Sequence, residues 1–327
     1  MVSIITLLNS SIIFGTVILF GAIGEILTEK SGNLNLGVPG IMYLGGIGGL
    51  IGAFFYEMNA VNPTAGMGML VAMICCLIFS VLGGLIFSFL TITLRANQNV
   101  TGLTLTIFGA GVAEFFGGSL NKLAGGVGQI SVAVTSAGYR ANLQTLFGKN
   151  NFTDAFLIYG VLVYVAIALA IGLHFFFKKT RVGLNLRAVG ENPATADAAG
   201  LDVTKYKYLA TCIGAGISGV GGLFYVMDYT KGTWGSDGNI QSLGWLAVAL
   251  VIFATWKSLN AIWGAYLFGF LIWIYLYIPG LSRSTQELFR MLPYIVTIGV
   301  LIFSSMRNKK EQQPPNSLGL SYFREER

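Results

Sequence analysis

Apolar runs of the ~20-residue scale a membrane span needs alternate with short polar breaks along this chain. They fall at 10–27, 41–56, 67–91, 103–118, 155–177, 208–227, 243–256, 261–278 and 292–303. This predicts nine spans, within a range of eight to ten. The runs are continuous and lack the ~10-residue alternation of a membrane barrel. In lipid the backbone must then satisfy itself within helices. The predicted fold is all-α, a polytopic transmembrane helical bundle.

The breaks differ in kind. The run at 41–56 is short, so residues 33–40 before it are expected to enter the membrane in non-helical form. Lipid tolerates that only where protein or a watery cavity surrounds the chain. Residues 119–153 contain no run of span length, and an amphipathic strip at 130–137 is expected outside the bilayer. No Lys or Arg precedes the first run, so it lacks the basic start of a signal peptide and reads as a retained span.

Composition agrees. Charged residues are 10% of the chain, against about 25% in soluble proteins. Mean hydropathy is +0.70. Residues 1–305 therefore form one membrane domain, and 306–327 a polar tail whose Pro314-Pro315 predicts exposure. Glycine is abundant, 44 of 327, which lets helices approach closely where packing drives association. Cys75, Cys76 and Cys212 read as small core residues. His174 stands alone, so no metal set is expected.

The longest polar interruption, 178–207, holds six of the twenty basic residues: Lys178, Lys179, Arg181, Arg187, Lys205 and Lys207. Placing it inside puts fourteen basic residues on the inner face and six outside. That predicts an outer N-terminus and an inner C-terminus. The net charge of +6 is explained by this face and calls for no nucleic-acid partner; the expected surroundings are membrane lipid. Within the interruption, Asn192 suits an N-cap, Pro193 a first helical position and Gly200 a helix end. A short helix between two spans offers another protein a surface to push on; the plain alternative is a solvated loop.

Candidate chemistry is sparse. No His-Glu-x-x-His and no phosphate-binding Gly-x-x-x-x-Gly-Lys-[Ser/Thr] occurs, so no cofactor is expected in this chain and any ATP must be held elsewhere. Glu25 and Glu114 are acids within runs, where an ionisable group is a functional hypothesis by default. They would serve a gradient-driven carrier, although Glu25 has room to snorkel toward Lys30. An intramembrane enzyme is disfavoured, because the polar groups at depth are amides and hydroxyls without a base. Asn33, Asn35, Asn97, Gln98, Asn99, Thr101, Thr104 and Thr106 cluster at the breaks. Such groups beside free helix ends can bind a neutral, hydroxyl-rich ligand, or can simply satisfy those ends.

These residues carry a family resemblance. The stretch from Glu25 through Ser31-Gly32-Asn33-Leu34-Asn35-Leu36-Gly37 to Gly40-Ile41-Met42 resembles a signature of ABC transporter permeases of the ribose/nucleoside/branched-chain amino-acid class. Thr180-Arg181-Val182-Gly183 through Glu191-Asn192-Pro193 and Ala198-Ala199-Gly200 is similar to that class's cytoplasmic coupling segment. Arg95-Ala96-Asn97-Gln98 and Gly244-Trp245-Leu246-Ala247 match further elements, and Leu318-Gly319…Tyr322-Phe323-Arg324-Glu325 resembles the nucleoside-type tail. Pro39 departs from the pattern, which has Glu there. So do the turn at Lys257 and Ser321.

The resemblance implies an importer subunit, not an enzyme, in the cell membrane. ATP-binding subunits carrying ATP and Mg, a second and different permease chain, and an extracytoplasmic binding protein are the implied partners. Glu191, Asn192, Pro193, Ala194, Asp197, Ala198 and Gly200 would contact the ATPase. Asn33, Asn35, Asn97, Gln98, Asn99, Thr101 and Thr104 would line the solute path, with a nucleoside as the expected solute and a simple sugar or other small polar solute as the alternative.

Overall fold

The computed structural model describes residues 4–123, 126, 130–142, 158–236, 238–278, 280, 282–307 and 313–323. The described residues are helical throughout, apart from turns and one isolated bridge between Ser131 and Thr233. In chain order the helices are α1 (Ile4–Glu29), α2 (Val38–Asn59), α3 (Ala65–Ser88), α4 (Gln98–Leu123), α5 (Ala133–Arg140), α6 (Val161–Lys179), α7 (Arg181–Glu191), α8 (Pro193–Ala198), α9 (Val203–Phe224), α10 (Asn239–Phe253), α11 (Ser258–Trp273), α12 (Arg283–Arg290) and α13 (Leu292–Arg307). π-turns at Phe89–Thr93 and Tyr225–Tyr229 extend α3 and α9.

Eight helical segments are long and apolar enough to cross a membrane, α12 and α13 together forming the last. The shorter α10 makes a ninth apolar helix, so the span count agrees with the expectation. Helix ends differ from it for local reasons. Val38 to Gly40 are helical, because Pro39 in the first turn of α2 presets helical φ and has no N–H to lose there. The non-helical stretch is therefore 30–37. The helix α4 starts at Gln98, since Asn97 accepts the Val100 N–H at 3.1 Å and ends the break early. The predicted strip at 130–137 appears as α5. The predicted start of the fifth span at 155–157 lies outside the described residues.

Buried spans and lipid-facing spans separate cleanly. The helices α1, α2 and α9 are mostly enclosed, whereas α3, α4, α6, α11 and α13 bury only one face. The exposed stripe Leu70, Ile74, Ile78, Leu82 and Ile86 on α3 repeats every four residues, the spacing of one helix face. Around α1 pack α9, α11, α10 and α6; α2 lies between α3, α9 and α4.

Glycine sets the distances in this centre. A Cβ on Gly45 would lie 2.5 Å from the Gly219 Cα, and one on Gly219 would lie 1.7 Å from Ser80 Oγ. One on Gly222 would lie 1.8 Å from the Met42 carbonyl oxygen. One on Gly24 would lie 2.2 Å from the Gly214 carbonyl oxygen. The three helices α1, α2 and α9 thus meet backbone to backbone, gaining dispersion contacts that larger residues would block.

Chain direction puts two groups of connections at opposite ends. One end joins the 30–37 break, the Arg95 break, α7, α8, the turn at Trp256 and the tail. The other joins α5, the Thr230–Gly232 turn and Glu57. There Thr135 N–H donates to Glu57 at 2.7 Å, and Ser136 Oγ donates to the Met227 carbonyl at 2.9 Å.

Gly222→Ala is predicted to destabilise the detergent-solubilised protein by about 1–3 kcal/mol, the usual scale for overpacking. Gly66→Ala, with nothing within 4 Å of the added carbon, should be neutral. Thermal unfolding midpoints of the two variants check this.

Candidate functional site

The polar break at 30–37 is held by side chains from three helices, α1, α4 and α9, and from the break itself. Glu25 Oε1 accepts the Asn35 N–H at 3.0 Å, and Gln98 Oε1 accepts the Leu34 N–H at 2.7 Å. Asn35 Oδ1 accepts the Gly37 N–H at 2.9 Å, and Thr106 Oγ1 donates to the Leu36 carbonyl at 3.1 Å. Asn33 Nδ2 donates to Thr211 Oγ1 at 3.1 Å, while Asn33 Oδ1 is buried with no partner. All of these bonds but the one between Asn33 and Thr211 serve a backbone group that lipid could not.

This accounts for most of the residues singled out as solute-binding. Asn35 braces the start of α2 and Asn97 caps α4. Thr101 is buried and donates to the Asn97 carbonyl at 2.8 Å; Thr104 donates to the Val100 carbonyl at 2.8 Å from an exposed position. Asn99 is exposed on α4. Of that group Asn33 and Gln98 border a cavity of about 500 Å³ that also includes Thr91, Arg95, Asp197, Asp202 and Lys207. Pro39 is buried against Gly244 of α10, where a Cβ would lie 2.6 Å from the Pro39 Cα, and does not face the cavity.

The acids fall differently from expectation. Glu25 is 1% exposed and does not snorkel; its bond to Asn35 N–H holds it inside. Glu29, one turn further, accepts from Trp256 Nε1 and ties α1 to the turn before α11. That turn holds Thr255 and Trp256 at φ of 51° and 53°, a left-handed pair stabilised by the buried Trp256. Glu114 is half-buried and accepts from the Ser236 hydroxyl toward the opposite end of the bundle. The two acids proposed for a gradient-driven carrier are therefore separate, each with its own partner.

The basic interruption is an elbow of two helices rather than one. Thr180 caps α7 by accepting the Gly183 N–H at 3.0 Å. Asn192 caps α8 by accepting the Thr195 N–H at 3.0 Å, and Pro193 opens that helix. Gly200, at φ +85°, ends it as expected, and Asp202 then caps α9 through the Lys205 N–H at 3.0 Å. Glu191, Asn192, Ala198 and Gly200 are exposed; Pro193, Ala194 and Asp197 are half-buried. On the inner side Val189, Ala196 and Val203 form a small apolar core with Tyr206 and Tyr322 against it.

The elbow rests directly on the break. A Cβ on Gly190 would lie 2.2 Å from the Lys30 carbonyl oxygen, so the two backbones touch. The tail closes over both. Ser317 N–H and Oγ donate to the Gly190 carbonyl at 3.1 and 2.6 Å, and Gly319 N–H donates to the Gly32 carbonyl at 3.2 Å. Tyr322 OH donates to Asp197 at 2.8 Å, and Arg95 stacks over Phe323 at 4.5 Å. Exposure of the whole tail is thus corrected. Ser317 and Pro315 are buried because their polar neighbours find backbone carbonyls at Gly190 and Gly32. Ser317, Tyr322, Glu29 and Trp256 carried no spacing signal in the sequence.

The geometry is that of a polytopic helical membrane bundle with a broken span and a capped elbow at one end. Comparison with known proteins agrees. The family model for the branched-chain amino acid transport system / permease component matches residues 7–301, and the chain belongs to that family. It is 32% identical, over 98% of both chains, to the putative glucose ABC transporter permease protein TsgC13 of Haloferax volcanii. It is 30% identical over 89% of both to the nucleoside ABC transporter permease protein NupC of Lactococcus lactis. With the guanosine ABC transporter permease protein NupQ of Bacillus subtilis it shares 29% over 88% of both. The chain is an ABC transporter permease, a multi-pass plasma-membrane protein and a transport component.

Burial lowers the Lys30 pKa from its ordinary value to about 8, with Arg187 adding repulsion and Glu191 and Glu29 opposing. The folded state therefore binds fewer protons than the unfolded one between about pH 8 and the ordinary lysine value near 10.4. Stability rises with pH across that window. Relative to Lys30→Met, wild type should gain thermal stability as pH goes from 8 to 10, and a flat difference between the two curves would refute it.

Proposed function

We propose that this chain is the permease subunit of a nucleoside importer, with the elbow end facing the cytoplasm. The observation that carries the reading is the elbow itself. The helix α8 is capped at both ends, presents Glu191, Asn192, Ala198 and Gly200 outward, and is backed through Gly190 by the break between α1 and α2. A groove in an ATP-binding subunit would hold Glu191, Asn192, Pro193, Ala194, Asp197, Ala198 and Gly200. ATP and Mg belong to that subunit. A second, different permease chain would complete the membrane part, and an extracytoplasmic binding protein would deliver solute. No nucleic acid takes part.

Movement in such a machine is a population shift between two arrangements, driven by a partner that binds one of them better. A rigid elbow seated on an irregular segment is a suitable lever. The break moves without tearing a helix, because its hydrogen bonds are already made by side chains.

Two relatives named for nucleosides or guanosine, and the tail that resembles the nucleoside-type branch, favour nucleosides as the solute. A sugar is the second reading, favoured by the relative named for glucose, which spans more of the chain. Asn33, Gln98 and their neighbours would sit on the inner part of the solute path.

Vesicles holding the complete transporter and its binding protein should take up labelled nucleosides and leave glucose outside. The reverse preference would replace the solute and keep the machine. Asp197→Arg removes the acceptor of Tyr322 and puts a cation on the docking face. Uptake should fall at least tenfold while the chain remains inserted; unchanged uptake would contradict the coupling role.

A further inference from the structure

The cavity at the elbow end contains two cations, Arg95 and Lys207, to which the permease reading gives no role. Its wall combines Asn33 from the break, Arg95 and Gln98 flanking the start of α4, Asp197 and Asp202 from the elbow, and Lys207 from α9. Its volume of about 500 Å³ falls in the range of small-molecule sites, about 300–1,000 Å³.

Lys207 is the informative residue. It is 3% exposed, and among the described residues it has no hydrogen-bond or ion-pair partner. Buried ammonium groups are almost always paired, because leaving one uncompensated is costly. The nearby acids are engaged elsewhere. Asp197 accepts from Tyr322, and Asp202 accepts the Lys205 N–H as the α9 cap. The second cation of the wall, Arg95, is held at φ +56° with one face on the Phe323 ring, which leaves the guanidinium edge to donate. Gln98, also 3% exposed, gives its oxygen to the Leu34 N–H, and its amino group has no partner among the described residues. Asn33 likewise leaves one end of its amide unsatisfied.

We propose that this cavity binds a small phosphomonoester with a hydroxyl-bearing body, such as a phosphorylated sugar or nucleoside. Two donors of positive charge match a phosphate dianion, with Lys207 as a point charge and Arg95 as a planar fork. The Gln98 amino group adds a neutral donor, and the amide of Asn33 suits a hydroxyl of the body. The ligand would touch the break, the elbow and the tail at once, because Asp197, Ser321 and Tyr322 complete the wall. Occupancy would therefore hold these three together and oppose their relative movement, which makes the site inhibitory. The same phosphomonoester group is offered by the headgroup of phosphatidic acid.

The test uses the assembled transporter in nanodiscs of zwitterionic lipid, titrated with glucose 6-phosphate and followed by phosphorus NMR line broadening. Saturable binding is expected, with glucose competing at least tenfold more weakly. Lys207→Met should weaken binding at least tenfold and Lys207→Arg should largely restore it. Lys205→Met, an exposed neighbour, should have no effect. Arg95→Gln repeats the test at an exposed position that folding tolerates, with at least a threefold loss expected. Equal binding by wild type, Lys207→Met and Arg95→Gln, or no saturable binding at all, would overturn the proposal. If phosphatidic acid in the nanodisc displaces glucose 6-phosphate from wild type, the site stands and its phosphate comes from lipid. These readings do not depend on which solute is carried, so an error about nucleosides would leave them unchanged.

Discussion

The contact on which this molecule turns is between two stretches of bare backbone. Gly190 at the heel of the elbow lies against the Lys30 carbonyl, at the point where α1 gives way to an irregular segment. A side chain of any size at 190 would separate them. The tail then binds both partners, Ser317 to the Gly190 carbonyl and Gly319 to the Gly32 carbonyl. An outward-facing surface and a buried break are thereby made into one mechanical unit.

A break inside a membrane protein is expensive unless every exposed peptide group is answered. Here the answers come from Glu25, Gln98, Asn35 and Thr106, drawn from α1, from α4 and from the break itself. Because side chains make these bonds, the break has a defined shape and is not simply unwound chain. The glycine contacts of α1, α2 and α9 supply the rigid floor beneath it. Under the proposed coupling, movement would fall at the elbow end and not in this glycine-packed centre.

Much of this was legible in the residues. Span-length apolar runs gave the helices, and Asn192, Pro193 and Gly200 marked the helix α8 because each has a specific backbone reason to sit where it does. The rest was hidden for physical reasons. The helix α7 carries Gly183 and Gly190, which read as a loop, yet both are small to admit a neighbouring backbone: a Cβ at 183 would meet the Phe176 carbonyl at 2.2 Å. Polar amides at the breaks looked like ligand groups. Asn35 also braces the turn before α2 and Asn97 caps α4, roles that only hydrogen-bond partners reveal. The tail looked exposed because its anchoring uses backbone carbonyls 127 and 287 residues away in sequence, which no local pattern reports. Glu29 escaped notice beside Lys30, and its partner Trp256 lies 227 residues further on.

The most direct test of this arrangement is the ratio of solute taken up to ATP hydrolysed by the complete transporter in vesicles, compared between wild type and Gly190→Val. The account predicts an inserted chain that still binds its ATP-binding subunits and supports hydrolysis, but with uptake per ATP reduced at least tenfold. An unchanged ratio in a correctly assembled Gly190→Val transporter would contradict it.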